Sequence, residues 1–116
     1  MSKDNQIQSI EKDLTSYRKQ IDLRESLANL SNNRHFKAVI SEGYFKDEPV
    51  RLTALLGHSD HQTPERQAAI LKQLNGVAQL HTYFNVITTL ASMAVKGIEE
   101  GEATLEDLRS NISGDE

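Results

Sequence analysis

Between Lys72 and Lys96 no side chain carries a formal charge, and that stretch lies inside the longest continuous helical signal of the sequence, Glu65 to Lys96. Thr63 supplies an N-cap, Pro64 a first helical position that needs no N–H, and Glu65 an acid at the positive end of the dipole. Ile70, Leu74, Val77, Phe84, Ile87, Leu90, Ala91, Ala94 and Ile98 then recur mostly at steps of three and four, with Asn75-Gly76 as the weak point. This predicts a helix roughly 50 Å long, which needs another long surface to lie against. Its outward positions fall to Gln73, Asn75, Gln79, Thr82, Asn85, Thr88, Thr89 and Ser92. A helix facing bulk water carries Glu and Lys there, whereas amides and hydroxyls suit a face covered by another subunit. Tyr83, Phe84 and Ile87 are expected near the middle of the packing seam, and Gln79 on the partner side.

Residues 3–30 read as a first long helix. Ile7, Ile10, Leu14, Tyr17 and Ile21 follow the three-four spacing of a coiled-coil seam, until Arg24 falls where the next apolar residue is due. Leu23, Leu27 and Leu30 then mark a rotated stripe. Two partners fit the seam: the long helix of the same chain, in an antiparallel pair, or a second copy, in which case these five residues carry self-association.

Ser31-Asn32-Asn33 is a break with capping chemistry. Phe36, Val39, Ile40 and Tyr44 predict a short amphipathic helix over 34–45. Asp47-Glu48-Pro49 predicts a second cap, opening a helix through Val50, Leu52, Leu55 and Leu56 that Gly57 ends. The pair resembles a helix-turn-helix, but a recognition helix that began with Asp47 and Glu48 would set carboxylates against phosphate, so a structural cap on the hairpin is expected instead. His58-Ser59-Asp60-His61 has metal-ligand residue types but an incomplete ligand set, since His35 and His81 are remote. A polar loop ahead of Thr63 is expected, with no metal. His81, lacking an acid three or four residues away, is expected to be satisfied or interfacial and not catalytic.

Beyond Ile98, Glu99-Glu100-Gly101-Glu102 opposes the helix dipole and offers a glycine stop, so the long helix is expected to end there. Thr104 with Asp107 predicts a capping arrangement for a brief last helix through Leu105, Leu108 and Ile112, with a frayed end from Ser113. Of the net charge of −4, almost all lies in this tail: residues 99–116 carry one basic and seven acidic side chains, while residues 1–63 balance at nine of each. An acidic end disfavours nucleic acid as a partner. The chain has no cysteine, which removes disulfides and thiolate chemistry. No apolar run has the length of a membrane span, and the start lacks the pattern of a signal peptide. No phosphate loop, nucleophile elbow or paired-carboxylate arrangement is present, so neither enzyme activity nor a cofactor is expected.

The run Phe36-Lys37-x-Val39-Ile40-x-x-Gly43-Tyr44-Phe45-x-x-Glu48-x-x-Arg51-Leu52, followed by Leu80-x-x-Tyr83-Phe84 and Glu102-Ala103-Thr104-x-Glu106-Asp107, resembles small helical proteins encoded among the head and structural genes of tailed bacteriophages. The likeness covers about residues 30–107; Pro49 departs from the pattern. It implies a virion structural component or assembly factor that touches capsid or portal, in the virion or the host cytoplasm; Phe36, Tyr44, Phe45, Gln79, Tyr83, Phe84 and Ile87 are expected at the packing or partner interface. A small regulator that binds nucleic acid or a host protein is the alternative.

The expected architecture is all-α and one domain overall. A long helix with a coiled-coil seam (1–31) precedes a short helix-turn-helix (32–62) and a long helix (63–100) packed antiparallel on the first as a helical hairpin. An acidic tail (101–116) closes the chain, and a coiled-coil homo-oligomer is expected.

Overall fold

The computed structural model describes residues 2–114, with side chains up to residue 111. Among these residues every element is helical: α1 (Lys3–Ser31), α2 (Arg34–Phe36), a π-helix (Lys37–Asp47), α3 (Glu48–Leu56), a 3₁₀ turn (Ser59–His61) and α4 (Pro64–Gly114). The all-α fold is as expected, with two long helices in antiparallel contact and short helical elements between them in sequence. The chain divides into two compact units, Met1–Ser26 with Ile87–Glu116, and Leu27–Val86, where one domain is expected from its length.

The first unit is the hairpin of α1 and α4. Leu14, Ile87, Ala91, Ala94 and Leu105 are its buried residues. The glycine expected to stop α4 packs it instead. A Cβ on Gly101 would lie 2.9 Å from Leu14 Cδ2, and one on Gly97 would lie 2.6 Å from the Tyr17 ring, so two bare backbone positions let the helices approach closely. The helix therefore continues through Gly101 to Gly114. Thr104 is no cap either, because its hydroxyl donates to the Glu100 carbonyl at 2.9 Å, one turn back in the same helix. Ser113 is helical; the side chain of Ile112, and Asp115 and Glu116, lie outside the described residues.

Along α4 the inward positions obey a seven-residue period. Ile70, Val77, Phe84, Ala91, Ile98 and Leu105 form one row and Leu80, Ile87, Ala94, Gly101 and Leu108 the other, all buried or half-buried. This is an a/d seam, narrower than the stripe expected from steps of three and four. Leu90, expected inside, falls off the seam and is 39% exposed.

The second unit contains the end of α1, the helical run 34–56, the 3₁₀ turn and the first part of α4. Asn33 caps as expected, its Oδ1 accepting from the His35 and Phe36 N–H groups at 2.9 and 3.1 Å. The turn expected at Asp47-Glu48-Pro49 does not form. Asp47 makes no side-chain cap and has helical φ and ψ, so the two expected short helices join without a break. The residues between them wind as a π-helix, and the Glu48 N–H reaches the Gly43 carbonyl five residues back. Phe36, Ile40 and Tyr44, four residues apart, are the half-buried side chains that this run turns inward. Gly43 helps, since a Cβ there would meet the Ala38 carbonyl oxygen at 3.0 Å.

α3 ends at Gly57 as expected, without a left-handed residue. Gln62 Nε2 and Gln67 Nε2 donate to the Leu56 carbonyl at 2.9 and 3.0 Å, satisfying an acceptor that the helix end leaves open. The Thr63 hydroxyl accepts from the Arg66 N–H at 3.2 Å, which starts α4 at Pro64 as expected.

The glycines give a paired test by thermal or urea unfolding. Gly76 has room for a Cβ, which would make an ordinary contact with the Tyr44 hydroxyl at 3.6 Å. Gly76→Ala is expected to gain about 0.5–1 kcal/mol from helix propensity. Gly97→Ala gains the same propensity, but the overpacking against Tyr17 costs about 1–3 kcal/mol, so its net effect is destabilising. Equal stabilisation by both would contradict the close approach.

Candidate interaction surface

The seam expected to join copies faces α4 within the chain. Ile10, Leu14 and Tyr17 meet Gly97 and Gly101. Leu14 is only 3% exposed, and Ile7 and Ile21, on the same row, are half-buried. The antiparallel pair, one of the two partners that the spacing allows, is thus present within the chain.

Of the expected contact residues, Phe36, Tyr44, Phe45, Tyr83 and Phe84 come together in the second unit. Phe84 takes Phe36 at 6.1 Å and Phe45 at 5.6 Å between ring centroids, and Tyr83 and Tyr44 extend the group through Phe84 and Phe45. The group is mainly a core, because four of these rings are half-buried and only Tyr83 is 52% exposed. His81 stacks edge-on to Phe45 at 5.2 Å, and its Nδ1 lies 3.3 Å from Asn85 Nδ2. Ile87 is spent in the hairpin core at 5% exposure, whereas Gln79 is exposed.

The uncharged stretch of α4 carries apolar side chains on its outer surface that the spacing did not single out. In the second unit Val86 is 43% exposed beside Gln79, Thr82 and Tyr83. In the first unit Leu90 and Met93 are 39% and 63% exposed beside Thr89 and Ser92. Val86, Leu90 and Met93 stand four and three residues apart, the signal that could have found them. They were masked because Leu90 also fits the inner stripe when steps of three and four are counted without a fixed period.

His58 caps the 3₁₀ turn, its Nδ1 accepting from the Asp60 N–H at 3.2 Å, while the His61 ring lies edge-on at 5.7 Å. Among the described residues no group of three or more histidines and acids converges on a point where a metal could sit. Glu48 pairs with Arg51 on the same face of α3, and the hydrogen-bonded guanidinium holds the carboxyl below its usual range. A concavity of about 960 Å³ is an open groove of the hairpin, with Leu14 and Leu105 on its floor and the ion pairs Arg18–Glu102 (3.4 Å) and Arg109–Glu11 (2.8 Å) along its sides. No described helix is long and apolar enough to cross a membrane. The sequence matches no protein-family model, no curated protein and no solved structure.

Proposed function

We propose that this chain is a non-enzymatic assembly protein that acts through contacts on its helix faces and works in multiple copies. The observation that carries this reading is the uncharged run of α4 from Gln73 to Val95, which exposes Val86 in the second unit and Leu90 and Met93 in the first. Water gives no reason for a long surface helix to exclude Lys and Glu, and a protein neighbour does: charge is depleted where an interface is fully covered, and Met and aromatic residues are enriched there. Tyr83 and Met93 supply both kinds of side chain. The likeness of the Phe36–Leu52 run to phage head-gene proteins extends the proposal to a virion component or assembly factor that contacts capsid or portal, in the particle or the host cytoplasm.

Co-expression with phage head and portal proteins tests this. Wild-type chain is expected in purified particles or their precursors, and Met93→Glu, which places a carboxylate among the exposed apolar side chains of that stretch, is expected to be depleted about tenfold or more, the loss from a charge buried without a partner. Equal incorporation of both, or absence of the wild-type chain at every stage, would contradict the proposal. A DNA mobility shift at low salt would favour the regulatory alternative.

A further inference from the structure

We propose that Asn75-Gly76, on α4 within the second unit, is a site of spontaneous deamidation whose rate is set by opening of the helix around it. Of the seven asparagines in the chain, Asn75 alone precedes a glycine. The nucleophile in this reaction is the backbone nitrogen of the following residue, and a side chain on that residue shields it. Leu30, Arg34 and Val86 do so after Asn29, Asn33 and Asn85, whereas Gly76 leaves its nitrogen bare. The carboxamides differ as well. Asn33 Oδ1 accepts from two backbone N–H groups and Asn85 Nδ2 lies 3.3 Å from His81 Nδ1, but the Asn75 side chain is exposed and, among the described residues, takes no hydrogen bond.

The Gly76 nitrogen gives its proton to hydroxide and attacks Asn75 Cγ. The new N–C bond closes a cyclic imide, the Cγ–Nδ2 bond breaks, and the departing nitrogen takes a proton from water and leaves as ammonia. Water then opens the imide at either carbonyl, giving aspartate or an isoaspartate whose backbone runs through the former side chain. Both products put a carboxylate into the run from Gln73 to Val95, which otherwise has none. The intact helix blocks the first step. Inside α4 the Gly76 N–H donates to the carbonyl four residues back, and helical ψ at Asn75 turns that nitrogen away from the carboxamide. The turn must therefore open before it reacts. Asparagine and glycine both rank low in helix propensity, which weakens the turn locally. Packing holds it: Val77 is buried, and Tyr44 and Leu52 line a cavity of about 210 Å³ together with Gly76. The reaction rate thus follows how often the second unit opens over this turn.

Ageing the full chain in neutral buffer, followed by tryptic peptide mass spectrometry, tests this. Cleavage after Lys72 and Lys96 gives one peptide that carries Asn75 with Asn85 as its internal control. In the native chain Asn75 is expected to convert at least about tenfold faster than Asn85. Unfolding in guanidinium at the same pH is expected to speed Asn75 by a further factor of about ten or more. Leu52→Ala is expected to raise the rate in native buffer at least about tenfold and to leave the guanidinium rate unchanged. Gly76→Ala is expected to bring Asn75 down to the level of Asn85 even in guanidinium, where folding plays no part. Native conversion no faster at Asn75 than at Asn85 overturns the proposal. So does a native rate equal to the unfolded one, a native rate that ignores Leu52→Ala, or an unfolded rate that ignores Gly76→Ala. A Leu52→Ala chain that fails to fold is expected to react at the guanidinium rate in plain buffer, and a slower rate there overturns the gate.

Discussion

Leu14→Asp is expected to open the hairpin. Leu14 is 3% exposed and its methyl group lies against the bare backbone of Gly101, so a carboxylate there loses its hydration and the apolar packing of the seam. An uncompensated charge in such a place costs more than about 3 kcal/mol, a large part of the stability of a small domain. Hydrogen exchange should show protection lost over residues 3–26 and 87–114, with far-UV ellipticity falling in proportion. Had the seam faced only a second copy, the same substitution would have lowered oligomer mass and left helicity nearly intact. Intact protection in that hairpin would return the seam to a second copy, the other partner that its spacing allows.

Leu52→Ala is expected to be the most damaging simple truncation in the second unit. Leu52 is 1% exposed, the most buried large side chain described. Removing its isobutyl group loses transfer energy and leaves a cavity, together about 2–5 kcal/mol. Urea unfolding followed at the tyrosines should show the midpoint shift. Val50→Ala, on the same helix but 69% exposed, should change stability by less than about 0.5 kcal/mol. Similar losses for both would mean that α3 does not present Leu52 inward.

The elements legible in the sequence are those set by local chemistry. The Asn33 cap, the Thr63-Pro64 start and the Gly57 end each depend on groups a few residues apart, and each is found where it was expected. What was not legible depends on neighbours distant in sequence. Gly101 among acids has every local mark of a helix stop, and only Leu14 of α1, packed on it, turns the missing Cβ into a contact. Arg18–Glu102 and Glu11–Arg109 then tie helices across the hairpin that local spacing cannot connect. The π-helix was missed for another reason: Asp47-Glu48-Pro49 is a good cap sequence, but the four-residue row through Phe36, Ile40 and Tyr44 is served by uninterrupted winding. The surface on α4 was legible in outline, through its missing charges, while Leu90 and Met93 emerged only once the seven-residue register of the core was fixed.

The oxidation rate of Met93 tests the assembly role most directly, because its thioether is 63% exposed and peroxide reports access to it without altering the sequence. Peptide mass spectrometry would follow sulfoxide formation in the isolated dilute chain and in particles containing it. Fast oxidation in the isolated chain and at least about tenfold slower oxidation in the assembled state is the expected result. Equal rates in the two states would show that this surface of α4 stays open to water and would contradict its role as a contact.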